Sequence, residues 1–220
     1  MSGPPVGAGT NEIDARVEWL TVAGDIDVWR SLGLSISTDG MVPLFGTSLR
    51  VVAPTDEQPG LSGWAVSGIS PDTTDIAGLP TDAVAAQAPV FASHDLGAVE
   101  LDHVVVFTGN MDAVSTAVEL ATGCERKRVR ELGAVRQGFH RIGRGGLIVE
   151  IVEHADSDAQ AGRFWGLVIN VDDLDVAVEL LGPERIGSPK DAVQPGRRIA
   201  TIRSDVGLGL PVALMSRDPR

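Results

Sequence analysis

Four segments of the chain carry strand character, with apolar positions that alternate with polar ones or run unbroken: residues 17–22, 64–67, 101–107 and 165–171. Each is followed by a residue able to cap a helix, then an apolar residue or Pro, then Asp. The four copies are Asp25-Ile26-Asp27, Ser70-Pro71-Asp72, Asn110-Met111-Asp112 and Asp173-Leu174-Asp175. A Ser, Asp or Asn side chain can accept a hydrogen bond from an unpaired helix N–H, Pro suits the first helical position, and Asp there opposes the helix dipole. Each copy therefore predicts a helix start. Helical spacing follows over 113–121 and 176–181, and Gly33, Gly78, Gly123 and Gly182 supply stops.

What comes after each helix differs between the halves. Beyond Gly123 lie three short strand candidates, 126–132, 135–142 and 147–152. Beyond Gly182 the matching pieces are 185–186, 198–204 and 211–216. Both read as βαβββ. The first two units are more closely spaced, so strands or helix turns are expected to be missing there. Residues 80–98, rich in Ala and Pro, read as a loop or weak helix, and residues 1–11, rich in Gly, Pro, Ser and Thr, as a flexible N-terminus. The fold class expected is α+β, with repeated βαβββ modules forming curled mixed sheets around a pocket.

A chain of 220 residues with 43% hydrophobic and 22% charged content has ample material for a core, burying roughly 70% of its unfolded surface. No apolar run is long enough for a membrane span, and the start lacks a signal-peptide pattern. Cys124 is the only cysteine, which excludes an intrachain disulfide and a cysteine zinc site. A cytoplasmic location is expected, with no membrane partner. The net charge of −12 argues against a nucleic-acid surface, which needs clustered Lys and Arg. Residues 1–98 hold 12 acids and 3 bases, residues 99–220 hold 18 and 15, so the two parts present different surfaces. The basic run Arg126-Lys127-Arg128-Val129-Arg130 reads mainly as a solvated strand face, with an anion contact as the alternative.

The paired βαβββ units, with Leu101-Asp102-His103-Val104-Val105-Val106 opening one and Gly146-Leu147-Ile148-Val149-Glu150-Ile151-Val152-Glu153 closing it, resemble the vicinal oxygen chelate superfamily. That group includes glyoxalase I, methylmalonyl-CoA epimerase, extradiol dioxygenases and the bleomycin-resistance binding proteins. The resemblance implies a glyoxalase-like domain over 99–220, with modules 99–160 and 161–220. Over 12–98 it implies a degenerate, shortened module pair. It also implies a ligand position on each first strand, seven residues before the helix cap, which falls on Glu18, Gly63, His103 and Gly166. The last-strand carboxylate position matches Glu150 and, in the fourth module, falls near Ala213. Only His103 and Glu150 of these four positions in the second half can bind metal. Three readings stay open for the pair: a site for a weakly bound divalent metal, a hydrogen-bonded pocket pair, or metal-free acid-base catalysis.

Other residues could shape a site. Arg197 and Arg198 end a predicted hairpin loop over 190–198 and could hold a carboxylate or phosphate, or simply be solvated. Trp165 is expected in the core, and Phe164 in the core or on a ligand wall. Gly143-Arg144-Gly145-Gly146 is not followed by a helix and is no phosphate loop, while Cys124 reads as packing. The function expected is that of a glyoxalase-like protein binding a small metabolite, with lyase, isomerase or epimerase activity open. The alternative is a metal-free, ligand-sequestering protein like the bleomycin-resistance members. Cofactors are expected to be none or a weak divalent metal, and homodimer formation is left open.

Overall fold

The computed structural model describes residues 15–54, 59–154 and 157–217; the flexible stretch expected over 1–11 lies outside them. Four modules follow one another. The first holds β1 (Arg16–Ala23), α1 (Ile26–Arg30), β2 (Met41–Val42) and β3 (Ser48–Val52), one strand short of βαβββ. The second holds β4 (Gly60–Ser67), β5 (Asp75–Ile76) and β6 (Leu79–Val84). The third is complete: β7 (Ala98–Thr108), α2 (Met111–Thr122), β8 (Arg126–Leu132), β9 (Val135–Arg141) and β10 (Ile148–His154). The fourth has β11 (Arg163–Val171), α3 (Leu174–Leu181), the short β12 (Lys190–Asp191), β13 (Arg198–Thr201) and β14 (Val212–Ser216).

Three of the four expected caps start helices. Asp25 accepts from the N–H of Asp27 at 2.8 Å, Asn110 from Ala113 at 3.0 Å, and Asp173 from both Asp175 and Val176. Ser70-Pro71-Asp72 does not, which corrects the expectation of a helix there. The chain makes one turn, closed by the Thr73 N–H on the Ser70 carbonyl at 3.1 Å, and enters β5. The reason is composition: Asp72, Thr73, Thr74 and Asp75 supply no apolar face to bury, so the cap has no helix to stabilise. Likewise, the strand expected at 185–186 is a single bridge between Ile186 and Ile202, and the strand forms instead at Lys190–Asp191.

The strands form two mixed sheets, ordered β2-β3-β1-β4-β6-β5 and β12-β13-β14-β11-β7-β10-β9-β8. In each, the first strand of a module pairs parallel with its own last strand (β1 with β3, β4 with β6, β7 with β10, β11 with β14). The two first strands then pair antiparallel, β1 with β4 and β7 with β11. The sheets share one continuous core: β4 packs against β11, and Trp64 meets Phe164 edge-on at 5.6 Å. Val104, Val106, Val149, Ile151, Leu167 and Ile169 enter this core with Met111, Val114 and Val118 of α2. The opposite face of each sheet is left for other work. Among the described residues, no helix is long and apolar enough to cross a membrane.

Candidate functional site

Strand alternation alone would put Leu101, His103, Val105 and Phe107 on one face of β7. The register shows otherwise: Leu101 pairs with Ile169 and His103 with Val168, leaving Asp102 as the extra residue of a β-bulge. A bulge lets two successive side chains turn to the same side. Leu101 therefore joins Val104 and Val106 in the core, and Asp102 joins His103 on the opposite face, a correction to the expected alternation.

Parallel pairing carries the same face onto β10. Ile148 lies beside His103, Glu150 beside Val105 and Val152 beside Phe107. The structure thus brings together the two residues that the sequence singled out: His103 Nε2 lies 3.5 Å from Glu150 Oε2. On the other side of the ring, His103 Nδ1 is 2.8 Å from Asp102 Oδ2. Glu150 also accepts from Gln137 Nε2 at 2.6 Å, and Gln137 Oε1 is buried with no partner among the described residues.

Asp102 is held in turn by a buried polar network. Arg197 donates from Nη1 to Asp102 Oδ1 at 2.7 Å, from Nη2 to Asn170 Oδ1, and from Nε to the Ser216 carbonyl at 2.8 Å. Asn170 Nδ2 donates to both Glu100 and Asp102. Burial by itself would raise the Asp102 carboxyl, but the bonds and charges of His103 and Arg197 outweigh it and hold it down to about 2. Glu150 goes the other way: burial raises it above the usual carboxylate value, against the opposing pull of His103, Arg130 and Arg128. Two carboxylates flank one imidazole, one held as an anion and one biased toward its acid form.

The remaining expectations fare differently. Arg197 is only 5% exposed and committed to Asp102 and Asn170, while Arg198 pairs with Asp175 at the start of α3. Neither offers a ready fork to a ligand on this face. Phe164 packs edge-on against Trp64 and the core; Trp165, expected in the core, is 40% exposed and stacks on Phe107 at 4.7 Å. The cause is a second bulge, since Phe164 pairs with Val106 and Gly166 with Val105, and Trp165 is the extra residue. The basic run holds residues that the sequence reading undervalued. Arg128 lies over the Phe139 ring at 4.7 Å, and both Arg128 and Arg130 act electrostatically on Glu150. Arg-x-Arg on an edge strand two strands away from a partly buried Glu is the signal that could have pointed to them.

Two of the other histidines stay out of the site, whereas His154 at the end of β10 meets the Phe107 ring edge-on at 5.1 Å. His140 lies between Ser115 Oγ at 2.6 Å and the Cys124 carbonyl at 3.0 Å, and burial lowers it. His94 is held by the Ser35 N–H and the Pro43 carbonyl. In the fourth module the register sets Ala213 beside Val168 as Glu150 is set beside Val105, and Gly166 beside Pro211. Neither brings a donor. The metal that the resemblance implies therefore has His103 Nε2 and Glu150 to bind it, with Asp102 already engaged. Among the described residues no three His, Cys, Asp or Glu side chains gather as a metal-binding group, and two donors do not fit a catalytic site built on about three protein ligands.

No protein-family model matches the chain, and no curated protein matches its sequence. Solved structures do. A triple mutant of 4-hydroxymandelate synthase from Streptomyces coelicolor is similar over 93% of both chains, with a TM-score of 0.63 and 14% identity. Methylmalonyl-CoA epimerase from Mycobacterium tuberculosis is similar over 56% of this chain and 91% of its own, with a TM-score of 0.47 and 15% identity. A Streptomyces coelicolor methylmalonyl-CoA epimerase in complex with 2-nitronate-propionyl-CoA covers 55% of this chain and 96% of its own, with a TM-score of 0.45 and 16% identity. The full-length likeness to 4-hydroxymandelate synthase shows that the chain has the vicinal oxygen chelate fold.

Proposed function

We propose that the face of the second sheet bearing His103 binds a small metabolite and transfers a proton on it, as a metal-independent isomerase, epimerase or lyase. The observation that carries this reading is the Asp102-His103-Glu150 array, 2.8 Å and 3.5 Å across its two gaps. With Asp102 anionic and accepting the Nδ1 proton, His103 presents Nε2 as a base. Glu150, biased toward its acid form by burial, returns a proton to the product. Arg128 and Arg130 at the edge of the face anchor an anionic group of the substrate, and the Phe107-Trp165 stack covers its apolar part. No step is routed through a metal, and divalent ions are expected to bind weakly.

A second reading, a metal-free protein that sequesters its ligand, draws on Gly166 and Ala213, which bring no donor to the fourth-module positions. One experiment separates the two. The purified protein is incubated in D2O with a panel of small carbonyl acids and acyl thioesters, and deuterium entering the carbon next to the carbonyl is followed by proton NMR. Exchange that drops by about a hundredfold or more in His103→Ala and in Glu150→Gln supports proton transfer. Binding without exchange supports sequestration. Calorimetric titration with zinc, nickel, manganese and iron(II) accompanies it: a sub-micromolar site abolished by either substitution would overturn the metal-independent reading.

A further inference from the structure

The two sheets repeat one pairing pattern at their centres, β3-β1-β4-β6 matching β10-β7-β11-β14, and the repeat exposes a second site. In β1, Val17 pairs with Val66 and Trp19 with Ala65, so Glu18 is the extra residue of a bulge, as Asp102 is in β7. The sequence spacing put Glu18 at the His103 position. The bulge instead puts Trp19 there and Glu18 at the Asp102 position. The partners agree. Ser67 Oγ donates to Glu18 at 2.6 Å where Asn170 donates to Asp102, and Gly63 abuts Pro80 where Gly166 abuts Pro211. On the last strand, Arg50 lies beside Thr21 as Glu150 lies beside Val105. The first sheet therefore carries Trp19 and Arg50 where the second carries His103 and Glu150, with the last-strand charge inverted.

These residues line a cavity of about 650 Å3 on the face away from the core, a volume ordinary for a small-molecule site. Trp19 lines the cavity, and its buried indole N–H has no hydrogen-bond partner among the described residues. Residues 1–98 hold three basic side chains, and two of them, Arg16 and Arg50, line this cavity. Arg16 donates to the Gly46 carbonyl, whereas the Arg50 side chain forms no hydrogen bond or ion pair among the described residues, its charge acting on Asp39. The acids of the lining already accept hydrogen bonds, Glu18 from Ser67 and Asp39 from Ser37. Phe45, Val90 and Phe91 add exposed apolar surface at the rim.

We propose that this cavity is a second ligand site, separate from the His103 face, and that it takes a small organic carboxylate with an aromatic or apolar body. The carboxylate accepts from Arg50 and from the Trp19 indole N–H, and the body lies against Trp19 and Phe91. The test uses 3-phenylpropionate as the carboxylate and 2-phenylethylamine as the cationic counterpart. Binding to the full chain is followed by calorimetry and by the indole N–H resonances in 15N-labelled protein, with Trp19 assigned from Trp19→Phe. The expected result is a shift of the Trp19 resonance by 3-phenylpropionate alone, affinity at least about tenfold weaker in Arg50→Gln, and affinity unchanged in His103→Ala. Arg50 is exposed, so Arg50→Gln is expected to fold even if Trp19→Phe does not. The proposal is overturned by no resonance shift, by an equal shift with the amine, by binding that survives Arg50→Gln, or by binding lost in His103→Ala.

Discussion

Asp102 is the residue on which the proposed chemistry and a measurable share of stability both rest. Its side chain is 7% exposed and is paired with an Arg197 side chain that is 5% exposed, so solvent screens the pair little. A carboxyl lowered in the folded state stabilises it above the unfolded value of 3.8, and that stability is lost as pH falls through about 2. The contribution is about 2 kcal/mol. Asp102→Asn leaves the buried Arg197 charge without its carboxylate and is expected to cost about 3 kcal/mol at pH 7. Denaturant unfolding of both proteins from pH 6 to pH 2 checks this: the gap between them should narrow below pH 4. Two curves that stay parallel would remove Asp102 from the account. Glu150 carries the opposite sign, since its raised carboxyl loses stability as pH rises, which is the cost of keeping an acid beside His103.

At the scale of elements, the bulges decide which side chains meet. Without the extra residue in β7, Asp102 would point into the core and His103 would have no carboxylate on Nδ1. The glycine on β11 matters in the same way. A Cβ added at Gly166 would meet the Pro211 carbonyl oxygen at 2.7 Å, and at the matching Gly63 the Pro80 carbonyl oxygen at 3.0 Å. In both places the first strand approaches the start of the last strand of its module too closely for a side chain. Gly166→Ala is expected to destabilise by about 1–3 kcal/mol, and Gly63→Ala by less. Thermal melts of the two variants test the order. A Gly166→Ala protein as stable as the parent would mean that this approach is loose, and would reopen position 166 to a metal-binding side chain.

For the whole molecule, the consequence of one shared core is one unfolding transition. Phe164 and Trp64 meet across the two sheets, with Trp64 also donating to Thr81 at 2.7 Å, so their contact belongs to neither half alone. Phe164→Ala is expected to lower stability by about 3 kcal/mol and to leave ligand binding on the His103 face unchanged. Calorimetry decides between this and a looser arrangement. A single peak that shifts down in the variant fits a joint core, whereas two resolved peaks in the parent would mean that the halves unfold separately.

The sequence by itself determined the order of strands and helices through most of the chain, because alternation and caps are local signals read within one element. It also carried the module repeat, from which the resemblance to the vicinal oxygen chelate superfamily implied the fold and singled out His103 and Glu150 as ligand positions. Where the local signal lacked a surface to bury, at Ser70, the cap made only a turn. Only the tertiary structure decided which residues are bulged, because a bulge is a mismatch between two strands and leaves no mark on either one alone. From that single cause follow the turning of Asp102 toward His103, the exposure of Trp165 against Phe107, and the placement of Trp19 where spacing had put Glu18. The commitment of Arg197 to a buried network was equally out of reach, because its partners Asp102 and Asn170 lie far away in the chain and are brought together only when β7, β11 and the loop before β13 pack.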